Sequence, residues 1–356
     1  MAYTTIDNPE LYFQTKLFTG NGSTQSITLD GSENMQPDFV WFRNRSSTQN
    51  NRLFDIVRGA GKNLVSNNTG AEIDAGTGTG GQLRTFDSDG FSVGSDNSVN
   101  KSSENICSWN WKAGGSASSN SHGDITSSVS AGTTQGFSIV KYTGNGTGGS
   151  TIGHGLGSVP SAIWLKPLDR TDNWRVYHKE IDATAPEDFH LKLQSTATRA
   201  DANDVWNDTA PTSTLFTVGA NAGVVASGED FIAYCFAEKK GYSKFGKYTG
   251  NGNADGTFAY TGFKPAFVMV RDPNNAENWL MYDNKRPGFN VTNNHLFANT
   301  TDTETASTAN IMDFLSNGFK IRSTNNGLNR SGGTFLYWTF AESPFVNSNG
   351  VPNNSR

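Results

Sequence analysis

Three of the five histidines of this chain, His154, His178 and His190, fall within 37 residues of one another, with Asp169, Asp172 and Glu180 close by in sequence. Imidazoles beside carboxylates can act as general bases or hold a metal ion, and those roles require a spacing that converges the ligands. Zinc sites use patterns such as H-E-x-x-H or paired cysteines, and neither occurs. No G-x-S-x-G elbow is present to present a serine nucleophile. The histidines therefore read as one turn histidine and two surface or edge-strand histidines. Asp182 with Glu187, and Asp283 in MYDNK, are the carboxylates that could do acid/base work, but none recurs in every copy of the internal repeat described below. Asp87 and Asp89 in DSDG could touch a calcium ion, yet the rest of the loop departs from the EF-hand pattern, and a hairpin turn is expected there. GNGTGG at 144–149 and GTGTGG at 76–81 both satisfy G-x-G-x-x-G. A dinucleotide site needs the third glycine to open a helix, and STIGHGLGSVP cannot be that helix. GAGK at 59–62 lacks P-loop spacing. The sequence thus predicts no catalytic residue, no cofactor and no metal.

Binding is the other chemistry to weigh. Sugars stack on exposed indole and phenol rings, so Trp41, Trp174, Trp206 and Trp279 come into view. Trp174 and Trp279 occupy equivalent places in NWRVY and NWLMY, which points to one packing role used twice. Trp206, in DVWNDTAP, has no counterpart and is the residue expected at the surface as a ligand platform. Cys107 and Cys235 lie in apolar, aromatic runs and read as buried free thiols. A net charge of -5 with no basic run excludes a nucleic-acid footprint, and no apolar run reaches the roughly 18 residues of a membrane span. The opening MAYTTIDNPELYFQT has no basic region followed by an apolar one, so no secretory signal is expected.

Charged residues make up only 17% of the 356-residue chain and aromatics 12%, against about 25% charged in average globular proteins. Gly, Ser, Thr and Asn are abundant. Strands favour Thr, Val and aromatics, and the turns between them Gly, Asn and Asp, so the chain reads as all-β. One phrase organises it: LFTGNG at 17–22, KYTGNG at 141–146 and KYTGNG at 247–252. After each comes a Pro-led run (QPDFVWFRNR, VPSAIWLKPL, KPAFVMVRDP), then a second strand (RLFDIVRG, NWRVYHKE, NWLMYDNK). Each copy closes on an aromatic strand: NICSWNWKAG, FIAYCFAE and FLYWTFAE. Self-similarity at a fixed period outranks local propensity as a guide to architecture. The expected fold is three tandem antiparallel β-sandwich modules of jelly-roll or lectin-like type. Trp109 and Trp111, Tyr234 and Phe236, and Trp338 and Phe340 alternate and so point to one face of each closing strand. Asp89-Gly90 and Asn317-Gly318 are type I′ hairpin signals.

The modules are expected at 16–114, 137–243 and 244–345. Between the first two lies a Gly/Ser-rich linker, 115–136, and a polar tail occupies 346–356. Residues 1–15 form an extended N-terminal arm. Tyr3, Ile6, Leu11, Tyr12 and Phe13 give it enough apolar surface to anchor the protein on a neighbour, for example by adding a strand to a sheet edge.

Several stretches together, including VRGAGKNLVSN, FDSDGFSVG, GGSASSNSHGDITSSVSA, GFSIVKYTGNGT with HGLGSVP, and YCFAEKKGYSKFGKYTGNGNADGTF, resemble a family of virion structural proteins of tailed bacteriophages, particularly marine and cyanobacterial ones. The similarity runs over essentially the whole chain. Members are described as tail-fibre, lectin-like or capsid-decoration proteins without catalytic residues. The resemblance implies a virion exterior protein, expected as a homo-oligomer on the particle; with no secretory signal it would be made in the host cytoplasm. Its partners would be the major capsid protein or tail components, and a host-surface glycan if it is an adhesin; a glycan-degrading enzyme is the remote alternative. Neither coiled-coil heptads nor collagen-like repeats mark a fibre shaft, and three globular modules favour a compact knob, as a head-decoration or other peripheral virion protein.

Overall fold

A computed structural model describes residues 3–286 and 290–353. Among the described residues the regular secondary structure is almost entirely strand, arranged in antiparallel sheets. Each module has a large six-stranded sheet and a small sheet stacked on it. At the heart of each large sheet the closing strand (Asn105–Trp111, Asp230–Phe236, Thr334–Pro344) is flanked by two others. On one side is the opening strand that leads into TGNG (Phe13–Thr19, Phe137–Thr143, Ser243–Thr249), and on the other the Pro-led strand (Phe39–Asn44, Ala162–Pro167, Phe263–Arg271). The stacked small sheet contains three strands in the first and third modules and two in the second, which also carries a separate pair, Phe189–His190 with Ala200–Asp201.

The Pro-led and closing strands are buried on both faces, because each large sheet is sandwiched twice. One face meets the small sheet, as where Val40, Phe42 and Ile106 pack with Phe91 and Val93. The other face carries the alternating aromatics, and here the sequence-based expectation needs amending. Trp109 and Trp111, Tyr234 and Phe236, and Trp338 and Phe340 do not fill three separate interiors. They meet in one central core shared by all three modules. Phe39 lies against Tyr234 (centroids 4.6 Å apart), Trp41 against Trp164 (5.7 Å), Trp109 against Phe267 (5.6 Å) and Phe236 against Phe340 (6.0 Å). Aromatic pairs at such distances and tilts add about 0.5–1.5 kcal/mol each beyond their buried area.

TGNG has a local explanation. In all three copies the last glycine has positive φ (+69°, +75° and +67° at Gly22, Gly146 and Gly252), and its N–H donates to Asn100, Val225 or Asn329. The first glycine is needed for space. A Cβ on Gly20, Gly144 or Gly250 would lie 2.2–2.3 Å from the carbonyl oxygen of Lys101, Ala226 or Arg330. Each of those residues caps a four-residue helix that the turn straddles. The Asn between the glycines stays at negative φ and accepts the N–H of the residue two positions on. The preceding Tyr142 and Tyr248 are buried and donate to Val224 and Leu328.

Three segment readings are corrected, and the polar tail is found tied down. The 115–136 stretch is not a free linker: Ser118–Asn120 and Ser127–Gly132 are strands of the second large sheet, the former its edge and the latter paired with Phe137–Thr143. The arm is not free either. Pro9–Leu11 is a 3-10 turn and Phe13 begins the first strand. Ile6 and Phe13 sit in the central core with Tyr12 packed against it and Leu11 half-buried, while Tyr3 donates its hydroxyl to the Gly262 carbonyl. The tail is held as well. Asn353 donates to Ser316, and Ser348 N–H donates to Asp7; residues 354–356 lie outside the described residues. Finally, the hairpins at Asp89-Gly90 and Asn317-Gly318 exist, but their loops are Ser88-Asp89 and Ser316-Asn317. Neither has the two positive-φ residues of a type I′ turn. Gly90 and Gly318 instead begin the return strands, where a Cβ would fall 2.0–2.1 Å from the carbonyl oxygen of Ile27 or Ala259.

Candidate functional site

The residues with the most chemical potential lie between modules and are repeated around the ring. Asp55 and Asp283 end equivalent second strands, Arg52–Asp55 and Leu280–Asp283. Each pairs with an arginine three residues on, Arg58 or Arg286, and each arginine reaches a second carboxylate, Glu72 or Glu304. Each aspartate also binds the next module. Tyr234 Oη donates to Asp55 Oδ2 at 2.7 Å, and Trp109 Nε1 donates to Asp283 Oδ2 at 3.0 Å. His178 stands at the corresponding position of the second module, its Nε2 3.3 Å from the Tyr337 carbonyl and its ring 4.5 Å from Trp338.

Two further sets obey the same rotation. Arg43, Lys166 and Arg271 project from equivalent positions of the Pro-led strands, fully buried. Each donates to main-chain carbonyls of a neighbour: Arg43 to Asp302, Lys166 to Thr69, Arg271 to Thr196 and Ala197. Burial lowers their pKa values, Lys166 to about 8 and both arginines to about 10. Asn51, Trp174 and Trp279 likewise donate across the seams, to Ala298, Val65 and Ser195. These groups satisfy carbonyls that the joining of modules would leave without water.

The histidines do not converge. Among the described residues no group of three His, Cys, Asp or Glu side chains could hold a metal. Of the reading as turn and surface or edge-strand histidines, the positions hold and the exposure does not: His154 follows the strand Ser150–Gly153, and His178 and His190 lie on the edge strands Arg175–His178 and Phe189–His190, yet all three are buried, and burial pulls their pKa values down to about 4, 3 and 4. Asp182 pairs with Arg199 at 2.8 Å rather than with Glu187. Asp89 accepts the Met35 N–H. Cys107 and Cys235 are buried free thiols, as expected. Trp206 is corrected too: it is only 2% exposed, packed 6.0 Å from Tyr177 inside the second sandwich, so it offers no platform. Trp41, Trp174 and Trp279 are likewise buried.

Open hollows lie elsewhere: two in the second module, of about 420 Å³ beside Ser118–His122 and about 370 Å³ beside Ser127 and Lys141, are walled largely by serines, and a groove of about 410 Å³ on the third module has aromatic and basic walls. One wall is the opening strand Ser243–Thr249, which no further strand covers among the described residues. The other wall is Phe258–Tyr260, the edge of the small sheet, whose alternation sends Ala259 into the core and Phe258 and Tyr260 outward, 41% and 48% exposed. Lys244 Nζ lies 5.4 Å from the Tyr260 ring centroid and donates to the Tyr260 carbonyl. Lys240 Nζ lies 4.4 Å from the Tyr3 ring, and Tyr3 and Tyr260 join through their hydroxyls at 3.2 Å. Glu180 reaches in from the second module to Lys247 at 3.2 Å. The groove can stack and hydrogen-bond a ligand. Glycoside hydrolysis uses two carboxylates, whereas Glu180 is the one lining carboxylate here and is held by a lysine. The sequence reading missed this site. Its signals were the alternating aromatics of FAY and the lysines of KKGYSKFGK, in a chain otherwise acidic on balance.

The sequence model of a family described as "Domain of unknown function (DUF7483)" matches residues 8–344, and the chain belongs to that family. Searches of curated proteins and of solved structures give no match.

Proposed function

We propose that the protein is a non-enzymatic structural component of the exterior of a tailed-phage virion, in first place a capsid-decoration knob or other peripheral protein bound to the major capsid protein. The observation that carries this reading is where the polar chemistry lies. Three sets of equivalent residues, Asp55/His178/Asp283, Arg43/Lys166/Arg271 and Asn51/Trp174/Trp279, all serve to lock three modules into one body. Rigidity of that kind suits a particle component, and the resemblance of the sequence to virion proteins points the same way. The second reading, a tail-fibre or receptor-binding adhesin for a host-surface glycan, draws on the exposed Phe258 and Tyr260.

Locating the protein on purified particles by cryo-electron microscopy, with copy number from quantitative mass spectrometry, tests both. Hundreds of copies on the head support decoration. A few copies, in multiples of three or six, at the tail support the adhesin, and absence from the particle overturns both. Release of reducing sugar from host envelope material by the purified protein would instead favour an enzyme.

A further inference from the structure

The three opening strands are equivalent, so the fate of their outer edges can be compared. In the second module the chain covers its own edge. Ser127–Gly132 pairs along Phe137–Tyr142, and Ile125 bridges to Ile152 of the small sheet. Ile125 and Val129 thereby close the mouth of that sandwich and join its core. In the first module the following loop wraps the edge: Gln14 donates to Glu10 and Glu33 and accepts the Gly31 N–H. In the third module the corresponding space is the groove.

Its backbone is set up for a strand. Ala341 N–H donates to the Tyr242 carbonyl and Gly250 N–H to the Gly333 carbonyl. The even-numbered residues of this segment therefore face the closing strand, and the main-chain groups of Phe245 and Lys247 point outward. By the register of the second module, an added strand would run antiparallel from Tyr248 to Ser243. The residue in the place of Val129 would sit opposite Gly246, against the Tyr337 ring that leans across it. The residue in the place of Ala131 would sit opposite Lys244.

Charge selects the occupant. Residues 239–247 hold Lys239, Lys240, Lys244 and Lys247 and no carboxylate. Among the described residues neither Lys240 nor Lys244 has an acidic partner within 4 Å; each lies over a tyrosine ring instead. A second copy pairing edge to edge would set these lysines against one another, which is how natural edges discourage self-association. Lys247 is already taken up by Glu180 at 3.2 Å, so an acidic residue is favoured at Lys244 and meets no such penalty there.

We propose that the third-module groove is a strand-addition site for a partner protein: an extended segment pairs antiparallel with Ser243–Tyr248, with a branched apolar residue over Gly246 and an acidic residue against Lys244, between the rings of Phe258 and Tyr260. This holds whether or not the protein belongs to a virion, and it is independent of any glycan. The mode is β-augmentation, in which main-chain bonds supply affinity and alternate side chains supply specificity.

The probe is a synthetic peptide with the sequence of residues 124–132 carrying Ala131→Asp, titrated into the intact protein by calorimetry and followed by amide hydrogen exchange. Exchange at Phe245 and Lys247 is expected to slow, and added salt to weaken binding. Lys244→Glu and the surface double variant Phe258→Ser/Tyr260→Ser are each expected to weaken binding at least tenfold. Failure of the peptide to bind, binding that leaves those amides unprotected, or equal binding by the Lys244→Glu protein overturns the proposal. So does an anionic oligosaccharide that binds the groove while the peptide does not, or a dimer that buries the same strand.

Discussion

Replacing Asp283 with asparagine should destabilise all three modules at once. The side chain is fully buried and takes hydrogen bonds from Trp109 Nε1 and Arg286 Nε, and from the N–H groups of Lys285 and Arg286. Asparagine keeps the shape but removes the charge. Its amide would face donors, and Arg286 would rely on Glu304 alone. Removing one partner of a buried ion pair costs about 3–5 kcal/mol. A chain of 356 residues unfolding as one unit has an unfolding entropy of roughly 0.7 kcal/mol per kelvin, so the transition should fall by about 4–7 °C. Scanning calorimetry reads both the shift and its cooperativity. Because Asp283 bonds Trp109 of the first module and the central core contains residues of all three, wild type and variant should each show one transition, with calorimetric and van't Hoff enthalpies in agreement. Asp255→Asn, at an exposed pair with Lys320, should leave the transition where it is. Separate transitions in the wild type, or a shift confined to one of several, would refute the shared core.

The histidines set the acid limb. Neutral when folded, with pKa values depressed from 6.5 to about 3–4, they bind more protons unfolded, so their contribution is complete above about pH 6.5 and declines as pH falls towards 3–4. Glu304 adds to this at lower pH. Burial disfavours its charge, but hydrogen bonds from Arg45 and Arg286 and the charge of Arg286 outweigh that and bring its pKa from 4.5 to about 2, so its contribution is lost between those values. Denaturant midpoints measured from pH 8 to 3 should therefore start falling near pH 6.5, and a flat profile down to pH 5 would contradict the burial of the imidazoles. Trp206→Ala should cost about 3–5 kcal/mol of stability by leaving a cavity, seen in urea titrations, without altering any ligand binding at the third-module groove. Gly144→Ala should be more destabilising than Tyr142→Phe. The first drives a methyl to 2.3 Å from the Ala226 carbonyl oxygen, whereas the second removes one hydrogen bond to Val224, worth about 1 kcal/mol; the reverse order would show that the turn yields easily.

The repeat was legible because its elements carry local physics. TGNG needs glycine twice, for positive φ and for a close carbonyl, and the Pro-led and closing strands alternate aromatics at period two. Alternation says which residues share a face but not what that face meets, so Trp109, Tyr234 and Trp338 read equally well as the interiors of three separate sandwiches. The signal that favoured a ring was the charge inside the strands. Arg43 in FVWFRN and Arg271 in FVMVRD sit in otherwise apolar runs, and D-x-x-R recurs as Asp55/Arg58 and Asp283/Arg286. A charge in a strand buried on both faces needs a partner from elsewhere in the chain. The 115–136 stretch misled for the opposite reason. Its Ser and Gly content matches a flexible linker, yet a strand that pairs at a sheet edge obtains its hold from main-chain groups, which composition does not record.

The same reasoning recasts the N-terminal segment. An anchoring arm should be removable at the expense of attachment alone. Here Ile6 and Phe13 lie in the core, with Phe13 5.4 Å from Phe340 of the third module, and Thr4 donates to the Lys240 carbonyl. Deleting residues 3–12 would take away Ile6 and the Tyr12 ring packed 5.9 Å from Tyr242, and with Tyr3 the hydroxyl that steadies the lip of the groove at Tyr260. Truncated protein should therefore melt several degrees lower and bind the groove peptide more weakly, by calorimetry on the free protein with no particle present. If it instead melts like the full chain, the segment is dispensable to the fold, and the attachment role first read from its apolar residues becomes the better account.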